Sequence, residues 1–68
     1  MTIQELYAVC ENLNHHTIFE VRTTEPNGPG KYVDEGKYSE LFTKYSDKKI
    51  TGFKLDDRYG RLCIVYIE

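Results

Sequence analysis

The amino-acid sequence predicts an α+β fold: a four-stranded, mostly antiparallel sheet with two helices on one face, in the order α-β-β-α-β-β. Two segments have apolar residues every three or four positions, as on one side of a helix. Four others are rich in alternating apolar, β-branched and aromatic residues, with turn-forming residues between them. All of residues 1–68 are assigned to one domain, because so short a chain supports only one core.

The first helix begins at a capping box, in which Thr2 and Glu5 each accept a hydrogen bond from a backbone N–H of the first turn. We expect it to end near Asn14. Its apolar stripe is formed by Ile3, Leu6, Cys10 and Leu13.

Residues 17–23 alternate with period two, which predicts a first strand. One face carries Thr17, Phe19 and Val21, and the other carries Ile18, Glu20 and Arg22. Residues 25–30 contain both prolines and two glycines, which predicts a hairpin loop before a short second strand at residues 31–33.

The second helix is expected at residues 37–45, where four aromatic and aliphatic side chains share one side: Tyr38, Leu41, Phe42 and Tyr45. Residues 50–55 and 61–67 should pair as a hairpin around a turn at 56–60. Ile50 and Phe53 have opposite parity in the third strand, so either Gly52 marks a bulge, which we favour, or one side chain faces outward.

The last strand is apolar on both faces, with Leu62, Ile64 and Tyr66 on one and Cys63, Val65 and Ile67 on the other. Helices on one side of the sheet cover only one of these sets. The other set would form an exposed apolar patch, which predicts association with a protein partner or with a second copy of the chain.

Charge and composition bear on location and on partners. A net charge of −2 and a pI near 5.6 argue against a general electrostatic grip on nucleic acid. The chain has no secretory signal pattern and no apolar run approaching the ~20 residues of a membrane span. Its two cysteines cannot build a network of disulfides. We therefore expect a cytoplasmic protein without a membrane partner.

Four short motifs that could carry chemistry are better explained structurally. Residues 28–31 lack the spacing and the following helix of a phosphate-binding loop, so we interpret them as a turn. His15 and His16 are adjacent and lack a third ligand, and we place them at the solvated end of the first helix. Cys63 is interpreted as an inert core thiol rather than a nucleophile. The acidic pairs 34–35 and 56–57 are assigned to turns and caps. No catalytic residue, cofactor or metal is predicted.

The candidate interaction residues lie in the C-terminal half. Tyr59 is placed at a hairpin tip between Arg58 and Arg61, where a loop aromatic has no core to enter. The remaining candidates are Lys54, Ile64 and Tyr66. An alternative is a strip that binds nucleic acid and is interrupted by aspartates; it consists of Lys44, Lys48, Lys49, Lys54, Arg58 and Arg61 with Tyr45 and Tyr59.

The capping box, the glycine-rich hairpin, the segments Gly36-Lys37-Tyr38-Ser39-Glu40-Leu41 and Lys44-Tyr45-Ser46-Asp47, and the final apolar hairpin follow one another along the chain. This pattern resembles small accessory proteins of phages and mobile elements of Gram-positive bacteria. The resemblance implies an inhibitor or modulator of a host protein, as anti-CRISPR proteins are, and carries over no functional residue. We expect a non-enzymatic protein-interaction module, with nucleic-acid binding as the alternative.

Overall fold

Two β-hairpins lie side by side and form one sheet through a parallel pairing of their inner strands. The computed structural model describes all residues from 1 to 68. Its elements are α1 (Ile3–Val9), β1 (Ile18–Thr23), β2 (Tyr32–Lys37), α2 (Tyr38–Leu41), β3 (Ile50–Leu55) and β4 (Leu62–Ile67). The strand order is β2-β1-β4-β3; β1 pairs antiparallel with β2, β3 antiparallel with β4, and β1 parallel with β4. The predicted class, element order and mostly antiparallel sheet are confirmed, and the parallel central pair makes the sheet mixed.

The central position of β1 and β4 follows from their composition. They carry five of the six buried apolar strand residues, and pairing them places those groups in the middle of the sheet. The edge strands β2 and β3 carry charged residues, which discourage pairing with further strands. The helices have seven and four residues, far fewer than the ~20 needed to cross a bilayer, so neither helix can span a membrane.

Helix α1 begins at the predicted capping box. The Thr2 hydroxyl accepts a hydrogen bond from the Glu5 N–H at 3.3 Å, and the Glu5 carboxylate accepts one from the Thr2 N–H at 3.1 Å. The helix ends at Val9, because Cys10 is already extended with a ψ of 110°. The predicted end near Asn14 was therefore wrong.

Tertiary contact explains the early end of α1. Gly60 in the β3–β4 turn approaches so closely that a Cβ at Gly60 would overlap the Asn12 carbonyl oxygen. Asn12 lies in a turn at this contact, and the chain there is no longer helical. Leu13 still reaches the core and is 7% exposed. His15 and His16 lie exposed in the turn that follows, so their predicted position at a helix end was also wrong.

The first hairpin differs from prediction mainly in the length of its second strand. The inward face of β1 is confirmed, since Thr17, Phe19 and Val21 are each fully buried. Strand β2 runs over Tyr32–Lys37 instead of residues 31–33, and an irregularity between Val21 and Arg22 shifts its register by one residue. Acidic residues and a glycine have low strand propensity, and pairing with β1 outweighs it.

Helix α2 is shorter than predicted. It covers Tyr38–Leu41, and turns continue the chain to Asp47. Leu41 is buried and Tyr38 and Tyr45 pack beside it on the core, whereas Phe42, the fourth residue of the predicted stripe, is 37% exposed. Tyr7 of α1 stacks on Tyr38 with ring centroids 4.0 Å apart, so the two helices are in direct contact.

The second hairpin confirms the bulge at Gly52. The register of β3 against β4 shifts between Ile50 and Gly52, so that Ile50 lies opposite Ile67 and Phe53 lies opposite Val65. Both side chains therefore point to the same face of the sheet, although Phe53 at the edge is 44% exposed.

The core lies between the helices and one face of the sheet. Its ten buried residues are Ile3, Leu6, Leu13, Phe19, Val21, Leu41, Ile50, Cys63, Val65 and Ile67. Every strand residue among them comes from the same face, which is the arrangement predicted for two helices on one side. The opposite face is left without a covering layer.

Candidate functional site

The uncovered side of the sheet, here called the open face, follows from the alternation of the central strands. In β4, Cys63, Val65 and Ile67 are at most 6% exposed, whereas the residues between them are only half-buried. In β1, Ile18, Glu20 and Arg22 are half-buried in the same way. The residues of β4 that point to the open face are therefore Leu62, Ile64 and Tyr66.

The strand register arranges the open face in three rows that run from β2 across to β3. Residues paired across neighbouring strands point to the same face. Asp56 continues the alternation of β3 and donates its N–H to the Leu62 carbonyl at 3.1 Å. From β2 to β3 the rows are Lys37-Ile18-Leu62-Asp56 (row one), Glu35-Glu20-Ile64-Lys54 (row two) and Tyr32-Arg22-Tyr66-Gly52 (row three).

The middle of the open face contains an apolar region beside the charged pair Glu20 and Arg22 of β1. Four adjacent side chains on the two central strands form it, here called the apolar strip: Ile18, Leu62, Ile64 and Tyr66. None of them belongs to the buried core or to the half-buried side chains packed against it. Apolar groups in the centre of a sheet with no layer above them are a typical feature of an association surface.

Charged and phenolic groups surround the strip and are held in place by one another. The Arg22 guanidinium donates to the Glu20 carboxylate at 2.7 Å, and this hydrogen bond raises the pKa of Arg22. The Tyr32 hydroxyl donates to Glu35 at 2.8 Å, which raises the pKa of Tyr32 to about 12. Both groups thus keep their protonated form at neutral pH.

A pocket of about 290 Å³ lies at the row-three end of the open face. Its lining consists of Thr24, Glu25, Gly28, Thr51, Gly52 and Tyr66. The hydroxyls of Thr24 and Thr51 are hydrogen-bonded to each other there. A Cβ at Gly52 would meet no atom within 4 Å, so the missing side chain leaves room above Tyr66.

The β3–β4 turn carries a second exposed group, here called the turn cluster: Arg58, Tyr59 and Arg61. Tyr59 is 63% exposed, and the two guanidinium carbons lie 5.1 and 5.4 Å from its ring centroid, within cation–π range. Asp57 accepts from the Tyr59 N–H at 2.7 Å and from Arg61 at 3.2 Å, which lowers the pKa of its carboxyl.

The predicted interaction residues fall on these two surfaces. Lys54, Ile64 and Tyr66 lie on the open face, and the other three form the turn cluster beyond the row-one end of β4. Sequence reasoning did not single out the first-hairpin residues of the open face: Ile18, Glu20, Arg22, Tyr32, Glu35 and Lys37. Alternation in β1 marks the first three, whereas the others require the true length of β2.

Three of the six basic residues of the alternative nucleic-acid strip are paired with carboxylates. Lys44 lies 3.4 Å from Asp34, and Arg61 lies 3.2 Å from Asp57. Lys54 lies 4.0 Å from the Asp56 carboxylate. These pairs divide the strip into locally neutral segments, which weakens its attraction for phosphates.

The cysteines and histidines do not form a reactive cluster. Burial raises the pKa of the Cys63 thiol to about 12, so the thiolate that a nucleophile requires is essentially unpopulated. The rings of His15 and His16 lie 3.9 Å apart on the surface. No group of three or more His, Cys, Asp or Glu side chains is placed to hold a metal ion.

Comparison with protein-family models, with curated proteins and with solved structures finds no match to this chain. The geometry of the open face is therefore the basis of the functional proposal.

Proposed function

We propose that this chain is a non-enzymatic protein-binding module that contacts its partner with the open face. The observation that carries the proposal is the apolar strip, which occupies the centre of the sheet on β1 and β4 and has no covering layer. Burying such a strip against a partner would remove its apolar surface from water, at about 25 cal/mol per Å². No other part of the chain covers this surface.

The surroundings of the strip favour a protein partner. Protein interfaces combine an apolar, tyrosine- and arginine-rich centre with a polar rim that remains solvated. Here Tyr66 belongs to the strip and Arg22 adjoins it, and Glu35 and Lys54 lie at opposite edges of the sheet. Mixed charge at the rim suits recognition of another protein better than recognition of a uniformly anionic polymer.

We place the module in the cytoplasm, where Cys10 and Cys63 would remain free thiols as they are in the fold. The resemblance to phage and mobile-element proteins suggests a host protein as one partner class. In that case the module would act by covering a surface of the host protein that its own ligand requires.

The direct test is affinity capture with four forms of the chain. Ile64→Lys places a charge in the middle of the apolar strip, and Gly52→Gln adds a polar side chain where space is free. Val9→Lys is the matched control, since Val9 is 69% exposed on α1 and far from the open face. Circular dichroism of each form establishes that it is folded.

We expect one protein to be retained by the wild type and by Val9→Lys, and to be lost with Ile64→Lys and Gly52→Gln. Hydrogen exchange of the purified complex should then show protection on β1 and β4. A partner retained equally by all four forms, or one that protects only the turn cluster, would refute the proposal.

Nucleic-acid binding remains the alternative and uses the turn cluster, where Tyr59 and two arginines are exposed together. Stacking on an aromatic ring and contact with phosphates would both be available there. Such binding must weaken steeply with salt. Failure of single- and double-stranded probes to shift at about 50 mM salt would eliminate it.

A further inference from the structure

We infer that the open face binds a second copy of this chain, face to face, with the two-fold axis parallel to the strands and midway between the sheets. This inference rests on the proposed function and specifies its partner. It is carried by the distribution of charge across the three rows, which is self-complementary under this one symmetry operation.

The operation has a simple effect on the sheet. It exchanges left and right while leaving position along the strands unchanged, so β2 lies over the partner's β3 and β1 over the partner's β4. Each row therefore faces the same row of the second copy, read in the opposite direction. Sheets packed face to face are about 10 Å apart, which long charged side chains from both sides can bridge.

Row one is complementary to the partner's row one, with opposite charges at both ends and apolar residues in the middle. Lys37 at the β2 edge lies over the partner's Asp56, and the reverse contact forms at the other edge. Ile18 lies over the partner's Leu62, so that apolar groups meet at the centre. No like charges face each other in this row.

Row two follows the same scheme. Glu35 lies over the partner's Lys54, and both side chains are exposed in the single chain. Glu20 lies over the partner's Ile64. Its carboxylate is already bonded to Arg22 at 2.7 Å, so its methylene groups can cover the isoleucine without an unpaired charge.

In row three, Arg22 faces an aromatic ring of the partner, and Tyr32 faces a position of the partner that has no side chain. Arg22, whose guanidinium is held by Glu20 at 2.7 Å and by the Gly30 carbonyl at 3.2 Å, lies over the partner's Tyr66, whose ring can accept a cation–π contact. Tyr32, which is 51% exposed, lies over the partner's Gly52, where the pocket of about 290 Å³ has no side chain in the way.

The other face-to-face two-fold axis, perpendicular to the strands, is excluded by charge. It would place each strand over its own copy, so that Glu35 faces the partner's Glu35 and Lys54 faces the partner's Lys54. Like charges directly opposed across an interface oppose association. Of these two axes, the one parallel to the strands pairs every edge charge with its opposite.

The size of the face sets the expected affinity. Four strands about 4.8 Å apart and six residues long give a face roughly 19 by 20 Å. Over both copies this is roughly 760 Å², which is below the ~1,200 Å² of stable interfaces, so we expect a weak, transient dimer that binds no more tightly than the micromolar range.

A charge exchange in row two tests the arrangement. In Glu35→Lys alone, two lysines would face each other at both edges of the homodimer, and in Lys54→Glu alone two glutamates would. Mixing the two variants restores opposite charges at both edges. The mixed dimer also has the same total charge as the wild-type dimer.

Sedimentation velocity of each variant and of their equimolar mixture is the measurement. We expect each variant alone to dimerise at least about tenfold more weakly than the wild type, and the mixture to regain wild-type affinity. Glu11→Lys and Lys48→Glu are the matched controls, because both positions are exposed and lie outside the open face. These controls should dimerise like the wild type, alone and mixed.

Two results would overturn the inference, and they differ in what they imply for the proposed function. A wild type that stays monomeric at the highest concentration removes the second copy as the partner, while capture with Ile64→Lys still decides whether the face binds another protein. A dimer unaffected by either row-two variant and by Ile64→Lys associates elsewhere, which refutes this inference, and the proposed function then stands only if capture shows that a different protein binds the open face.

Discussion

Ile18 and Leu62 lie side by side in the parallel pairing of β1 with β4, and both side chains point to the open face. Their sequence neighbours Phe19 and Cys63 pair in the same way on the opposite face and are fully buried. A shift of one residue along either strand thus moves from the open face, which we propose binds a partner, to the core face.

Because one face of β4 is buried in the core and the other is open, the same kind of substitution should lower the free energy of unfolding by different amounts on the two faces. Val65→Thr should destabilise the fold by about 1–3 kcal/mol, because it buries a hydroxyl without a partner in the core. Ile64→Thr should cost less, about 1 kcal/mol or below, because its hydroxyl stays hydrated on the open face. Urea denaturation of dilute samples measures both changes, and equal costs would mean that the open face is covered within the monomer.

Gly60 is expected to be intolerant of a side chain. Its φ is +75°, and a Cβ would overlap the Asn12 carbonyl oxygen. Gly60→Ala should therefore destabilise the fold by more than about 1 kcal/mol. Gly52→Ala is the matched control, because φ at Gly52 is not positive and its Cβ would meet no atom within 4 Å. Similar unfolding midpoints for the two variants would show that the β3–β4 turn does not pack against Asn12.

Asp34 should make stability depend on pH below neutrality. The Tyr45 hydroxyl donates to its carboxylate at 3.0 Å, and together with the Glu35 N–H and Lys44 it lowers the pKa of that carboxyl. A lowered folded-state pKa contributes stability that is present above the ordinary carboxyl pKa and is lost as pH falls through the lowered value.

The variant that isolates this effect is Tyr45→Phe, which removes the largest cause of the shift and keeps the ring. We expect it to be less stable than the wild type at pH 7 and the difference to shrink as the solution is acidified below about pH 4. Urea midpoints across this range provide the measurement. A difference that is constant with pH would assign the loss to packing alone.

The two thiols should react at very different rates. Cys63 is fully buried and its pKa is raised to about 12, whereas Cys10 is partly exposed. An alkylating reagent near neutral pH should label one thiol per folded chain and both in urea, with the site read by mass spectrometry. Rapid native labelling of Cys63 would contradict its place in the core.

Local patterns in the sequence predicted much of the sheet. The bulge at Gly52 followed from the parity of Ile50 and Phe53, and the exposure of one face of β4 followed from its being apolar on both sides. Both inferences need only the period of a strand and the number of helices available to cover it. The capping box at Thr2 is equally local.

Features that depend on distant partners were not predictable in this way. The parallel pairing of β1 with β4 joins segments more than 40 residues apart, and β2 extends through Asp34 and Glu35 because β1 offers it hydrogen bonds. For the same reason Glu35 and Lys37 were missed as parts of the open face. Local patterns assigned Glu35 to a turn or cap and Lys37 to the second helix, and only the assembled sheet reverses those assignments.

The central claim is that the apolar strip is uncovered in the single chain and becomes covered by a partner. Methyl relaxation caused by a soluble paramagnetic chelate tests it directly, first in dilute solution and then as chain concentration rises. We predict that the methyls of Ile18 and Ile64 are strongly relaxed when dilute and protected when concentrated, while those of Ile3 and Ile67 are protected throughout. Protection of Ile18 and Ile64 in the dilute monomer would contradict the account, and so would exposure that neither concentration nor a captured partner reduces.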